Sequence, residues 1–207
     1  MKILIIGGCG YIGSRLFLHL EEQGFEVDTV DLEWFGNHVN SCNHKMDMRG
    51  ILTLRPPPVP CLSSYQTVVL LAGHSSVPMC RGDRRSSFNN NVVNFITLLE
   101  RIEACNNPPR LIYASSSSIY GNTKDIAAPE DWERYDPKTY YDLQKQELDY
   151  YARLSDVEYY GLRFGTVNGW SPNLRVDIML NKMYQCATED NQISIFNKHI
   201  QTNSGDI

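Results

Sequence analysis

The chain has 207 residues, of which 42% are hydrophobic and 21% are charged, and its formal net charge is −5. These values are ordinary for a soluble globular protein, while the acidic balance argues against a nucleic-acid groove or a basic membrane patch. No apolar run approaches the ~20 residues that cross a membrane. The short apolar N-terminus is a poor signal peptide, and we therefore expect a cytoplasmic protein.

Strand-length apolar runs alternate along the chain with longer segments of helical periodicity. The pattern predicts strands at residues 2–6, 25–30, 44–46, 67–71, 110–114, 158–164 and 192–196. It predicts helices at residues 11–22, 88–105, 140–154 and 174–187. The prolines of RPPPVPC at 55–61 indicate a loop in place of part of a crossover helix. The alternation predicts an α/β protein whose parallel sheet is covered by helices on both faces.

A glycine loop follows the first predicted strand in MKILIIGGCGYIGSR, and a helix begins directly after it. Gly7, Gly10 and Gly13 have the spacing GxxGxxG, which permits a tight turn, a close backbone approach to a pyrophosphate and close packing of helix on strand. The helix N-terminus offers free N–H groups to phosphates. This order predicts a dinucleotide-binding, Rossmann-type doubly wound sheet, with a tight turn that binds nothing as the alternative.

Asp31 ends the second predicted strand, EVDTVD, at about the position expected of the ribose-binding acid. A carboxylate there can accept both ribose hydroxyls of NAD and would repel the 2′-phosphate of NADP. The residue therefore predicts NAD as the cofactor, and the alternative is a plain carboxylate at a strand end.

The segment YYDLQK places Tyr141 and Lys145 four residues apart on a predicted helix, so both lie on one face. A phenol is a poor base at neutral pH, but a neighbouring ammonium stabilises the phenolate and makes proton abstraction easier. Tyr140 has Gln144 at the corresponding position and lacks that partner. By itself the segment is better interpreted as an ordinary helix turn.

Five motifs in order, GGCGYIGS, LLAGHSS, YASSSSIYG, YYDLQK and GLRFGTVNG, resemble the extended short-chain dehydrogenase/reductases, in particular the NAD-dependent epimerase/dehydratase family of nucleotide-sugar enzymes. The resemblance covers almost the whole chain. It implies that Tyr141 is the catalytic base, that Lys145 tunes it and that Ser116 holds the reacting oxygen. Because the serines form a run, Ser115 or Ser117 could take the place of Ser116.

The resemblance also implies the residues that contact the cofactor and the substrate. Implied cofactor contacts are Gly7, Gly10, Tyr11, Ile12, Gly13, Asp31, Asp47, Met48, Leu71, Ala72, Gly73, Asn91, Tyr141 and Lys145. Implied substrate contacts are His74, Ser117, Thr166, Asn168, Arg175 and Asn181, the last two on and at the start of the following helix. Solvated surface positions are the alternative for Asn91, Arg175 and Asn181, and a structural role is the alternative for His74.

The chain departs from the family pattern in several places. Ser117 and Ser118 stand where the family's dehydratases and decarboxylases have acids, which favours epimerisation or simple oxidation–reduction. Tyrosine is common in the family at the position of Asn168, and asparagine occurs at that of Thr166. The basic run CRGDRRSS at 80–87 is interpreted as a solvated loop, and phosphate contact by its arginines is the alternative.

We expect residues 1–170 to form the NAD-binding domain with the catalytic residues, and residues 171–207 to begin a truncated substrate-binding region, because family members are usually much longer. The expected activity is that of an epimerase or oxidoreductase acting on a UDP- or dTDP-hexose. A non-catalytic NAD-binding module, or a truncated inactive family member, is the alternative. Asp31 disfavours a third option, an NADP-preferring reductase of small carbonyls. The helix carrying YxxxK is a candidate homodimer contact.

Overall fold

Six parallel strands form one sheet in the order β3-β2-β1-β4-β5-β6 in the computed structural model, which describes residues 1–39, 43–53, 61–121 and 135–193. The strands are β1 (Lys2–Ile6), β2 (Glu26–Asp31), β3 (Asn43–Lys45), β4 (Thr67–Leu70), β5 (Arg110–Ser116) and β6 (Tyr159–Phe164). The order reverses between β1 and β4, and ligands of open α/β sheets bind at such a reversal, beyond the carboxyl ends of the strands. The predicted fold class is confirmed.

The helices alternate with the strands in sequence, and the last described helix follows β6. They are α1 (Tyr11–Glu22), α2 (Met48–Thr53), α3 (Val77–Gly82), α4 (Arg84–Phe88), a π-helix (Asn89–Val93), α5 (Asn94–Glu103), α6 (Tyr140–Leu154) and α7 (Met179–Glu189). Short 3₁₀ turns occupy Leu62–Ser64 and Ser117–Tyr120. None of the helices in the described ranges is long and apolar enough to cross a membrane.

The core has two parts, one on each face of the sheet. Leu4 and Ile6 of β1 belong to the larger cluster, which includes residues of α2, α5 and α6. Ile3 and Ile5 belong to the smaller cluster, into which Phe17 of α1 is packed. Because successive strand residues point to opposite faces, a strand covered on both sides must be apolar throughout. This requirement explains the continuous run KILII.

The start of α6 is fixed by a capping box. Thr139 Oγ1 accepts a hydrogen bond from Asp142 N at 3.1 Å, and the Asp142 carboxylate accepts one from Thr139 N at 2.9 Å. Both contacts satisfy backbone N–H groups that have no partner within a helix. The helix therefore begins at Tyr140, as the sequence predicts, and the register of YYDLQK is set by these two side chains.

The region before α5 differs from the prediction. The sequence predicts a solvated loop at 80–87 and one helix at 88–105, whereas the structure has α3, α4, a π-helix and α5 in succession. Ser76 accepts a hydrogen bond from Met79 N at the start of α3, and Asp83 accepts one from Ser86 N at the start of α4. Capping side chains of this kind start helices even in a polar segment, so the loop interpretation was wrong.

Other predicted elements also change. The helix predicted at 174–187 begins only at Met179, because Ile178 before it has an extended backbone, so Arg175 precedes the helix. Helix α2 was not predicted. The proline-rich segment lies outside the described residues apart from Cys61, and so does most of the strand predicted at 192–196, whose first two residues are not in a strand.

The chain divides into two compact units. The first comprises Met1–Gly165 together with Trp170–Asn173, and the second comprises Thr166–Gly169 and the chain from Leu174 onward. The boundary predicted from the sequence lies at residue 170. The structure instead places residues 166–169 in the second unit and residues 170–173 in the first.

Candidate active site

The glycine loop is compressed between β1, β4 and α1. Gly7 has φ +96°, and a Cβ at this position would lie 2.4 Å from the backbone nitrogen of Ala72. A Cβ on Gly13 would lie 2.1 Å from the carbonyl oxygen of Gly7. Both distances are far below van der Waals contact, and the opposing atoms belong to backbone. Only glycine allows α1 to start this close to the sheet.

Gly10 is less crowded than its neighbours and forms the N-cap of α1. A Cβ there would meet the carbonyl oxygen of Gly7 at 3.3 Å. Tyr11 and Ile12, both half-buried, form the first turn of α1. N–H groups of a first turn have no acceptor within their own helix, and the helix dipole favours an anion in front of them. This end of α1 therefore suits a diphosphate.

A distant segment braces the loop from outside. Ser171 donates a hydrogen bond from Oγ to the carbonyl oxygen of Tyr11 at 2.6 Å, and Asn173 donates one from Nδ2 to the carbonyl oxygen of Cys9 at 2.9 Å. Sequence reasoning missed both residues. No local pattern could have identified them, because their partners lie about 160 positions earlier in the chain.

Asp31 lies at the carboxyl end of β2, beside the glycine loop. Its carboxylate accepts hydrogen bonds from Cys9 N at 3.0 Å and from Glu33 N at 2.8 Å. An ionised carboxylate has about four acceptor positions, so these two bonds leave capacity for ribose hydroxyls. The geometry fits the predicted role and adds a structural one, since Asp31 also holds the loop in place.

Asp47 and Met48 follow β3 in the expected order. Asp47 accepts hydrogen bonds from Arg49 at 2.9 Å and 2.6 Å, and this guanidinium lowers the pKa of the Asp47 carboxyl group. Met48 is 6% exposed and belongs to the hydrophobic core. An adenine near these residues would therefore meet a carboxylate that is already paired, and a Met48 that is almost entirely buried.

The end of β4 is anchored on both sides. Leu71 and Ala72 each donate their N–H to the carbonyl oxygen of Ile6 at 2.8 Å. The side-chain amide of Asn91 accepts from His74 N at 2.8 Å and donates to the carbonyl oxygen of His74 at 3.2 Å. One asparagine thus fixes both backbone groups of the residue that follows the cofactor segment.

Asn91 also connects this segment to α6. Its Nδ2 donates to Gln144 Oε1 at 2.8 Å, and Gln144 Nε2 donates to Ser87 Oγ at 3.0 Å. All three side chains are buried, so their polar groups depend on one another. Asn91 lies in the π-helix, a type of irregularity that is frequent at functional sites. Sequence reasoning found Asn91 and missed its partners.

His74 has one further notable atom. Its ring nitrogen Nδ1 is buried and has no hydrogen-bond partner among the described residues, while the ring makes an edge contact with Trp34 at 6.4 Å between centroids. Trp34 belongs to the loop after β2 and is 63% exposed. The contact joins the loops that follow β2 and β4.

Tyr141 and Lys145 occupy the same face of α6, which packs against β5. Lys145 Nζ donates to the carbonyl oxygen of Ala114 at 2.6 Å and lies 5.7 Å from the centre of the Tyr141 ring. Lys145 is 8% exposed, and its burial lowers its pKa to about 8. The lysine is therefore held in place by the strand and remains mostly protonated at neutral pH.

Asp149 supplies negative charge one helical turn beyond Lys145. It accepts hydrogen bonds from Arg163 Nε at 2.8 Å and from Tyr113 Oη at 2.9 Å. Its charge raises the pKa of Lys145 and so opposes part of the effect of burial. Sequence reasoning missed this ion pair, because its partners come from α6, β5 and β6.

Ser116 is the last residue of β5, and its Oγ lies 2.8 Å from Ser118 Oγ. Ser118 Oγ donates to Asp142 Oδ1 at 2.6 Å, which links Ser116 to the first turn of α6. Ser115, its neighbour in the strand, points to the opposite face, and its buried Oγ has no partner among the described residues. Ser117 is exposed in the following turn. Of the three serines, Ser116 has the geometry that fits the predicted role best.

The remaining predicted substrate contacts lie together in the second compact unit. Asn168 donates from Nδ2 to the carbonyl oxygen of Thr166 at 3.3 Å. Asn181 accepts from Gly169 N at 3.0 Å and donates to the carbonyl oxygen of Arg175 at 2.9 Å. The Arg175 guanidinium pairs with Asp177 at 2.6 Å and 3.1 Å. These bonds order the segment that precedes α7.

Within the described ranges, no group of three histidine, cysteine or acidic side chains is placed to hold a metal ion. Five cysteines fall in those ranges, and all five are free thiols.

Fold and site together define an α/β protein of the Rossmann type, with a serine at the end of β5 and a tyrosine and a buried lysine on α6. Residues 3–203 match the model of the NAD dependent epimerase/dehydratase family, and the chain belongs to that family. The family assignment confirms the resemblance deduced from the five motifs.

Relatives of known structure or name support the same assignment. The chain is 30% identical to Protein CapI of Staphylococcus aureus over 95% of its own length and 63% of that protein. It is 26% identical to UDP-glucose 4-epimerase of Thermus thermophilus, solved in complex with NAD, with a TM-score of 0.70 over 82% of this chain and 56% of that one. It is 25% identical to TunA, an NAD-dependent NDP-hexosamine 5,6-dehydratase, with a TM-score of 0.75 over 95% of this chain and 64% of that one. The chain thus spans less than two thirds of each relative.

Proposed function

We propose that this chain binds NAD and acts as an epimerase or oxidoreductase on a nucleotide sugar, a UDP- or dTDP-hexose. The observation that carries the proposal is the buried ammonium of Lys145, 2.6 Å from the carbonyl oxygen of Ala114 and 5.7 Å from the Tyr141 ring. Burying a charge is costly unless it is paired and hydrogen-bonded, and a protein that only binds NAD has no need to hold an ammonium beside a tyrosine. The lysine therefore favours catalysis over a non-catalytic NAD-binding module.

The proposed cofactor site uses the glycine loop for the diphosphate, Asp31 for the adenosine ribose and the segment after β4 for the nicotinamide side. The steric constraint at Gly7 and Gly13 supports this proposal, because it keeps the backbone and the N-terminus of α1 bare. Asp31 keeps acceptor positions available in addition to its two backbone bonds. NAD bound there would supply the acceptor and donor of hydride.

Each residue then has a defined task in the proposed reaction. Tyr141 takes the proton of the sugar hydroxyl, and the ammonium of Lys145 stabilises the phenolate that makes this possible. Ala114 and Asp149 keep the ammonium in place and charged. Ser116 holds the sugar oxygen. Return of the hydride to the opposite face of the keto sugar would complete an epimerisation.

Epimerisation is proposed ahead of dehydration because the turn after β5 carries Ser117 and Ser118 where the family's dehydratases have acids. The relative from T. thermophilus is named an epimerase, whereas TunA is named a dehydratase. Measuring the mass of the product distinguishes the two reactions, since an epimer retains the mass of the substrate and a dehydration product loses one water.

Cofactor binding is tested first by denaturing the purified protein and measuring the mass of any released nucleotide. We expect NAD or NADH. A protein that releases neither, and that also fails to bind added NAD, would contradict the proposal at its first step.

The catalytic role is tested with Tyr141→Phe, and Tyr140→Phe serves as the matched control. We expect Tyr141→Phe to lower turnover of the nucleotide sugar by about 10²–10⁴-fold, with NAD affinity kept within a few-fold. Tyr140 is 42% exposed and stacks on Arg84 at 4.5 Å, so its substitution should leave turnover nearly unchanged. Equal losses in both variants, or loss of NAD binding in Tyr141→Phe, would argue against the assigned base.

We also propose that two copies of the chain associate through the outer face of α6. The helix exposes large apolar side chains on this face, beside a surface hollow of about 390 Å³. The hollow is lined by Arg84, Arg85, Phe88, Asn89, Tyr140, Leu143 and Gln144. Leu143→Asp should convert a dimer into a monomer in sedimentation velocity, and a wild-type protein that sediments as a monomer would exclude the contact.

A further inference from the structure

Three oxygen atoms lie in a row between β5 and α6. Ser116 Oγ and Ser118 Oγ are 2.8 Å apart, and Ser118 Oγ is 2.6 Å from Asp142 Oδ1. In the pair of serines either hydroxyl could be the donor, and each choice gives Ser116 a different chemistry. The direction of these two protons therefore decides what the candidate oxygen-binding serine can offer to a substrate.

Asp142 provides the information that settles the direction. Its Oδ2 accepts from Thr139 N at 2.9 Å and from Lys138 N at 3.2 Å, and its Oδ1 accepts from Ser118. Every hydrogen bond that the described residues make with this carboxylate is donated to it. The group also lies in the first turn of α6, where the helix dipole stabilises an anion. An ionised carboxylate accepts hydrogen bonds and donates none.

Ser118 has a single hydroxyl proton, which it donates in the hydrogen bond to the Asp142 carboxylate. In the hydrogen bond between the two serines, Ser116 must then be the donor. Its Oγ also accepts a hydrogen bond from Ser118 N at 3.2 Å. A hydroxyl has one donor and two acceptor positions, so the described residues leave Ser116 with one unused lone pair and with its proton already donated.

We propose that Asp142 is a positioning residue that acts through Ser118 and turns Ser116 into a hydrogen-bond acceptor toward the substrate. In this arrangement Ser116 can accept an O–H from the substrate, but it can donate to the keto sugar of the proposed reaction only when its own proton turns away from Ser118. That consequence rests on the proposed function. The direction of the two protons does not, and it can be measured in the protein without any substrate.

Neutron diffraction from perdeuterated crystals locates the hydroxyl deuterium atoms directly. We expect the deuterium of Ser116 to point at Ser118 Oγ and that of Ser118 to point at Asp142 Oδ1. A deuterium on Ser118 directed at Ser116, or a deuterium on the carboxyl group directed at Ser118, would overturn the proposal. Failure of the nucleotide-sugar assay would leave this result unchanged, so the two proposals fail separately.

Asp142→Asn tests the cause with a side chain of the same shape. The two backbone N–H groups at Oδ2 require an oxygen, which places the new NH₂ group against Ser118 and makes it the donor. We expect the Ser118 deuterium to turn toward Ser116, whose own proton is then released from the pair. If the substituted amide still accepts from Ser118, the proposal is overturned, because the charge of Asp142 would then not set the direction.

Thr139→Ala is the matched control for loss of the cap. It removes the oxygen that accepts from Asp142 N but keeps the backbone N–H of residue 139 and the whole carboxylate. We expect a lower melting temperature with both deuterium atoms in their wild-type directions. A reversal in this variant would show that the helix start, and not the carboxylate, decides the direction, and would also overturn the proposal.

Discussion

The glycine loop and the polar network beneath α6 lie at the same edge of the sheet and are built in opposite ways. The loop depends on atoms that are absent, because Gly7 and Gly13 leave no room for a side chain. The network depends on atoms that are present, because Asn91 and Gln144 satisfy each other's buried polar groups. Adding a methyl group should destabilise the first region, and removing a single hydrogen-bond donor should destabilise the second.

The difference also separates the two kinds of ligand contact. The loop offers backbone N–H groups that carry no titratable proton, so it can bind a diphosphate at any pH near neutral. The α6 side offers a lysine whose pKa is lowered to about 8 by burial, so its charge changes within an accessible pH range. In the proposed function, cofactor binding is thus assigned to a region that is insensitive to pH and catalysis to one that is sensitive to it.

Gly13→Ala should have the largest effect on stability. The added Cβ would lie 2.1 Å from the carbonyl oxygen of Gly7, a backbone atom that can move only by displacing β1 or α1. We expect a loss of about 3 kcal/mol or more in the free energy of unfolding, measured by urea denaturation. Gly82→Ala is the control, because a Cβ there meets no atom of the described chain within 4 Å. Equal losses in both variants would refute the steric argument.

Asn91→Asp should have the next largest effect. The carboxylate can still accept from His74 N, but the bonds to the carbonyl oxygen of His74 and to Gln144 lose their donor. Two buried acceptors then face an anion, and we expect a loss of about 2–3 kcal/mol, measured by the same denaturation. Asn89→Asp, at an exposed position of the same π-helix, should change stability by less than about 0.5 kcal/mol. An unchanged free energy of unfolding in Asn91→Asp would mean that the network is not needed for folding.

Lys145 should make stability rise with pH. Its pKa in the folded state is about 8, below the ordinary value of 10.5, so the unfolded chain binds more protons between these pH values. Stability should therefore increase from pH 8 toward 10.5, by about 1.5 kcal/mol between pH 8 and 9.5. The measurement is the difference between wild type and Lys145→Met at each pH, which cancels the titration of other groups. A difference that stays constant with pH would contradict the assigned burial effect.

Gly10→Ala should have the smallest effect on the fold and a clear effect on the cofactor. Its backbone conformation, φ −72° and ψ 177°, is open to alanine, and the new Cβ meets the carbonyl oxygen of Gly7 at 3.3 Å. We expect the free energy of unfolding to change by less than about 1 kcal/mol, while NAD affinity in calorimetry falls by about tenfold or more. Unchanged NAD affinity would show that the diphosphate does not approach this glycine.

The sequence by itself determined the parts of the protein that depend on neighbouring residues. The apolar runs located the six strands to within one or two residues, and the bounds of β1, α1 and α6 were predicted without error. The glycine spacing and the i, i+4 pair of Tyr141 and Lys145 were also readable, because a turn and a helix face are set by residues a few positions apart. The polar segment before α5 misled the prediction, since its caps, Ser76 and Asp83, outweighed its low apolar content.

Only the tertiary structure decided which distant side chains share a proton or a hydrogen bond. Ser118 and Asp142 are 24 positions apart, Asn91 and Gln144 are 53 apart, and Tyr11 and Ser171 are 160 apart. A hydrogen bond requires its two atoms within about 3 Å, and the pattern of one segment carries no information on which other segment comes that near. The packing of α6 on β5 brings Asp142 to the serine run, a contact that the sequence leaves undetermined.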